Sequence, residues 1–117
     1  MHHLTRIAAG LAVAGCITHA PAAWAQAPEA FSRYGCDGCH TVSAYGIGTA
    51  PTADAGGPPD LSDVGTRRDA AFIQGFLKKQ VALDGRKHML RFPGSDAELS
   101  ALAGWLVTLD RPPAPAP

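Results

Sequence analysis

At 117 residues the chain has room for one domain, which excludes an enzyme with separate substrate and cofactor lobes. Charged residues make up 17% against 46% hydrophobic, and ten basic residues balance ten acidic ones, so neither a disordered acidic chain nor a basic nucleic-acid binder fits. Few aromatics beside 13 Gly and 10 Pro predict short elements joined by loops, around a core too small to hold the domain together by apolar side chains alone.

The amino end reads as an export signal. A mildly basic start with Arg6 precedes an apolar run over residues 7–17, and Ala23-Trp24-Ala25 supplies a small-x-small cleavage site. The run is shorter than the ~18 residues of a membrane-spanning helix. Residues 1–25 are therefore expected to be a cleaved secretory signal, which places the mature chain in the periplasm. Val13-Ala14-Gly15-Cys16 offers the alternative, a lipoprotein signal over residues 1–15 that would lipidate Cys16 and tether the chain to a membrane. Under either reading Cys16 lies outside the domain, which spans residues 26–110.

Three helices follow in chain order. The first opens at Pro28 and ends near Gly35, with Phe31 and Tyr34 on one side. The second is capped by Asp69 and carries the stripe Phe72, Ile73, Phe76 and Leu77. The third begins with the capping box Ser95-Asp96-Ala97-Glu98, and Leu99, Leu102, Leu106 and Leu109 set its apolar face, which predicts a helix from Asp96 to about Leu109 with Trp105 as core packing beside it. Residues 111–117 are an extended proline-rich tail. No stretch alternates as a strand does. Residues 41–68, rich in Gly and Pro, form a long wrapped loop, which suits a compact domain when it packs on a large bound group.

The segment Cys36-Asp37-Gly38-Cys39-His40 supplies such a group. Two thiols separated by two residues can add to the two vinyl groups of one haem, while the adjacent imidazole reaches the iron. A thioredoxin-like pair would need a strand before the cysteines, and none is predicted. A structural zinc site would need four ligands, and beyond this motif the mature chain offers only His88 among cysteines and histidines. Covalent haem c, one per chain, is the reading these residues favour, and export is consistent with it.

With these features the chain resembles the class I cytochromes c over about residues 28–110. The resemblance implies an all-α, cytochrome c-like fold, with three main helices and loops wrapped around one covalently bound haem. It implies that Cys36 and Cys39 carry the thioethers and that His40 is the proximal iron ligand. Gly57-Pro58-Pro59-Asp60-Leu61 looks like the family's Gly-Pro-x-Leu segment, in which a proline carbonyl accepts the proximal histidine's other ring proton. Pro59 is the favoured acceptor and Pro58 the alternative. Met89, 49 residues after His40 and just before the capped last helix, stands where the family places its axial methionine, so His40 and Met89 are the expected iron ligands. His88 is the competitor, and bis-histidine ligation would lower the potential that methionine raises; its preferred reading is a neutral surface histidine. The family's crossed-helix contact is expected between Phe31 and the last helix around Trp105 and Leu106, with Phe92 closing the pocket near Met89.

Two filled axial positions leave no site for substrate, so the expected function is a periplasmic monohaem carrier of single electrons between redox partner proteins, and not an enzyme. A cytochrome subunit of a dehydrogenase or oxidase complex is one alternative. A haem sensor or peroxidase-like protein with an open iron is another, for which the sequence offers no distal acid-base pair. Loss of Arg6 with the leader leaves nine basic against ten acidic residues, so no global electrostatic partner, and no nucleic acid, is implied. Lys78, Lys79, Arg86, Lys87 and Arg91 fall within fourteen residues and read either as a docking patch for an acidic partner or as a solvated helix end.

Overall fold

The computed structural model describes residues 14–16, 27–48 and 57–115. The expected signal cleavage site and most of the leader lie outside the described residues, as does the middle of the glycine-rich loop. Cys16 is exposed. No described helix is long and apolar enough to cross a membrane.

The described chain is mostly helical and, among the described residues, has no strand beyond two isolated bridges, Val42 with Ile47 and Leu83 with Arg86. Its three α-helices are α1 (Glu29–Arg33), α2 (Ala70–Leu77) and α3 (Asp96–Leu106), with short 3₁₀ turns at Cys36–Gly38, Ser43–Tyr45 and Val64–Thr66.

α2 and α3 begin where the sequence supplies a partner for their free backbone N–H groups, whereas α1 opens at Pro28 without a side-chain cap. Asp69 Oδ1 accepts from the Phe72 N–H at 2.7 Å and starts α2. The α3 capping box is complete: Glu98 N–H donates to Ser95 Oγ at 3.2 Å and Ser95 N–H donates to Glu98 Oε2 at 2.9 Å. Tyr34 Oη and Arg33 Nη1 donate to the same carboxylate at 2.9 and 3.0 Å. One side chain therefore caps α3 and ties its start to the end of α1.

α1 stops after five residues because Gly35 turns left-handed, at φ +74°, as a residue without a Cβ does at little cost. α3 ends three residues before the position that the leucine spacing predicts. Leu109 is fully buried all the same, but its carbonyl accepts from the Gly65 N–H at 2.9 Å in place of an intrahelical donor. Tertiary pairing thus takes over the last turn of the pattern.

The core gathers Phe31, Val42, Ile73, Leu102, Ala103, Trp105, Leu106 and Leu109. Phe31 meets Trp105 edge to face, with ring centroids 5.4 Å apart, and joins α1 to α3. Ile73 alone of the α2 stripe is buried; Phe72 and Phe76 are only partly covered and lie against each other at 5.7 Å. The stripe thus faces the core on one edge, with Phe76 packed against His88 and Phe72 between Phe76 and Arg68.

Candidate haem-binding site

After the left-handed Gly35, the 3₁₀ turn folds the cysteine motif so that the N–H groups of Cys39 and His40 both reach the Cys36 carbonyl, at 3.2 and 2.8 Å. Cys36 opens this turn and Cys39 closes it as the residue that follows its last position. Cys36 is half-buried, Cys39 is exposed, and both are free of disulfide. Burial pushes the Cys36 thiol above its ordinary pKa, opposite to the activation a redox-exchange thiol needs. Among the described residues no strand precedes the pair, and no group of three or more His, Cys, Asp or Glu stands ready for a metal ion. The arrangement matches neither rival reading, and it has what a porphyrin joined by two thioethers requires: two unpaired thiols one turn apart beside an imidazole.

His40 Nδ1 lies 2.8 Å from the carbonyl of Pro59, not of Pro58. A carbonyl only accepts, so Nδ1 is the protonated nitrogen and Nε2 keeps its lone pair, the tautomer an iron ligand needs. Burial holds His40 below the ordinary histidine pKa, the Pro59 carbonyl opposes that shift, and the nearby His88 adds to it. A neutral ring is the form that binds a metal.

Asp60 holds the Pro59 carbonyl in place, a role the sequence reading did not assign. Its carboxylate accepts from Thr41 Oγ1 at 2.8 Å, from the Ser43 N–H at 3.2 Å and from the Ser62 N–H at 2.9 Å. The Leu61 N–H adds a bond to the Thr41 carbonyl at 2.8 Å. The segment after His40 is thereby clasped to the segment that carries Pro59. Burial alone would raise the Asp60 pKa, but the hydrogen bonds from Ser43, Ser62 and Thr41 outweigh it and bring the pKa down to about 2. The signal in sequence was an Asp between Pro59 and Leu61 with a hydroxyl two residues on, a common turn pattern that names no distant partner.

A folded-state pKa below the unfolded value means that protonation favours unfolding. The Asp60 contribution is complete above about pH 4 and disappears as pH falls toward 2. Asp60→Asn is expected to lower stability near neutrality by about 1–2 kcal/mol, a modest figure because the carboxylate is partly solvated, and to flatten the loss between pH 4 and 2. Denaturant titrations of wild type and variant at pH 6 and pH 3 measure both effects; parallel acid losses in the two proteins would remove the clasp role.

On the other side of the site, residues 87–91 pass in an irregular run between α2 and α3. Met89 is 83% exposed. The ring that faces His40 belongs to His88, with centroids 6.2 Å apart and planes 16° from parallel. His88 Nδ1 donates to the Leu90 carbonyl, and the ring packs edge to face on Phe76 at 5.3 Å. Phe92 instead packs against Tyr34 at 5.0 Å, and the aromatic in contact with the His88 ring is Phe76, which in sequence is indistinguishable from core stripe. The structure thus brings Pro59 and His88 to His40, which follows Cys36 and Cys39 in the same turn, and leaves the Met89 side chain outside these contacts.

The basic cluster is partly engaged. Lys78 pairs with Asp96 at 3.0 Å, Arg91 Nη1 donates to the Lys78 carbonyl and Lys79 Nζ to the Met89 carbonyl. Arg86 and Lys87 are exposed, Arg86 on a tight turn whose two central residues, Asp84 and Gly85, both have positive φ.

The chain matches no protein-family model, no curated protein and no solved structure.

Proposed function

We propose that the chain is a monohaem c-type cytochrome that passes single electrons between exported redox proteins. The observation that carries the reading is the imidazole of His40, inside Cys36-Asp37-Gly38-Cys39-His40, held by the Pro59 carbonyl with Nε2 free. Cys36 and Cys39 would hold the porphyrin through thioethers, His40 would bind iron on one face, and a side chain from the His88-Met89 pair would close the other. The bound haem supplies a one-electron couple. The chain's own part is to keep His40 neutral and oriented through the Pro59 carbonyl; Phe76 and the loop around Pro59 would shield the bound group, and a second side chain on the iron would keep substrate from it. An iron closed in this way would suit electron transfer better than catalysis. The predicted leader supports export to the compartment where such haem is attached.

The test is to produce the full chain in a bacterial host with its haem-attachment machinery and to examine the purified protein. A red protein is expected, whose haem stays with the polypeptide in acid-acetone, whose mass exceeds the mature chain by one haem, and whose redox titration follows a single one-electron step. Colourless protein from a host that matures a control cytochrome would overturn the reading.

A further inference from the structure

We propose that His88, and not Met89, supplies the second axial bond to the iron, which makes this a bis-histidine cytochrome of low potential. The inference rests on the haem reading above and specifies its distal side. A metal-to-imidazole bond is about 2 Å long and the ligating nitrogen lies about 1 Å from its ring centre, so two imidazoles on opposite sides of one ion have centroids about 6 Å apart. His40 and His88 have centroids 6.2 Å apart and planes 16° from parallel, a separation that fits one ion between them once the ring edges that carry Nε2 are turned toward each other, because the nitrogen lone pair lies in the ring plane.

Both rings are prepared in the same way. Each donates Nδ1–H to a backbone carbonyl, Pro59 for His40 and Leu90 for His88, which leaves Nε2 as the lone-pair nitrogen of each. A solvated surface histidine needs neither the carbonyl nor the perpendicular contact with Phe76. The backbone beside it is fixed as well. Lys79, at φ +59°, directs Nζ to the Met89 carbonyl at 3.4 Å. Successive side chains of a non-helical segment diverge, so the residue whose ring faces His40 excludes its neighbour from that place.

Imidazole is a stronger donor than thioether and favours ferric iron, so the potential lies below that of a His/Met cytochrome. Three proteins test this: the matured wild type, Met89→Leu and His88→Ala. Ferric wild type is expected to lack the weak near-red band of iron bound to methionine sulfur and to give the electron paramagnetic resonance signature of two imidazoles. Met89→Leu should leave spectrum and potential unchanged. His88→Ala should open the iron, so that the reduced variant binds carbon monoxide while reduced wild type does not. If His88→Ala does not accumulate, the first two proteins decide the matter. A near-red band in wild type that vanishes in Met89→Leu would overturn the assignment and leave the haem reading intact, and so would carbon monoxide binding by native reduced protein. Colourless wild type would overturn both.

Discussion

On the proposed haem reading, the chain that cannot attach the cofactor is expected to lose nearly all cooperative structure. Changing Cys36 and Cys39 together to Ser removes both points of attachment, and the secreted product should show far-ultraviolet dichroism of a mostly unfolded chain, with no sigmoidal melt. The reason is the size of the core. Ten hydrophobic residues are buried among those described, and the three helices have five, eight and eleven residues, too short to persist in water without packing. A covalent cofactor would supply the apolar contact that a domain of this length lacks, as any staple does for a small scaffold. The partly covered Phe76 against His88, with Phe72 stacked on it, is the surface such a group would complete. A double-serine variant that melts cooperatively near the wild-type temperature would show that the polypeptide stabilises itself, and would take away the physical need for the cofactor.

Gly65→Ala is expected to be the most damaging single substitution away from the cysteine motif. A Cβ built on Gly65 meets the carbonyl of Val107 and lies 2.8 Å from that of Leu109, and neither group is a flexible side chain that can swing away. The same approach carries the bond from Gly65 N–H to the Leu109 carbonyl, and the Arg111 N–H to the Ser62 carbonyl continues the seam at 3.1 Å. Separating the two backbones breaks the seam and lifts Leu109 from the core. Overpacking ordinarily costs about 1–3 kcal/mol, and with backbone on both sides the loss is expected at about 3 kcal/mol or more. Denaturant unfolding of the matured variant measures it. Gly104→Ala is the control, since its Cβ would meet nothing within 4 Å and its helix propensity would improve. Equal stability of the two variants would refute the close-approach argument.

Several elements were legible before any tertiary contact was known. Asp69 before a 3.6-period stripe and Ser95 three residues before Glu98 fix the starts of α2 and α3, because a cap is a bond between neighbours in sequence and its chemistry is complete within four residues. Gly35 closing α1 and the meeting of Phe31 with Trp105 belong to the same legible part, the second through the family resemblance. The cysteine-histidine motif was legible for the same reason as the caps: its spacing alone sets the chemistry it can do.

What the amino-acid sequence by itself determined is where the helices begin, that the domain is all-α and that two thiols and an imidazole share one turn. Only the tertiary structure decided that the Pro59 carbonyl meets His40, that Asp60 clasps the loop that carries it, that Gly65 lies against the end of α3 and that His88 is the ring opposite His40. Each of these joins residues 17 or more positions apart. At that range local spacing carries no information about which of two adjacent side chains, or which of two adjacent carbonyls, turns inward, because the outcome depends on how loops pack on the helices and not on any preference of the residues themselves.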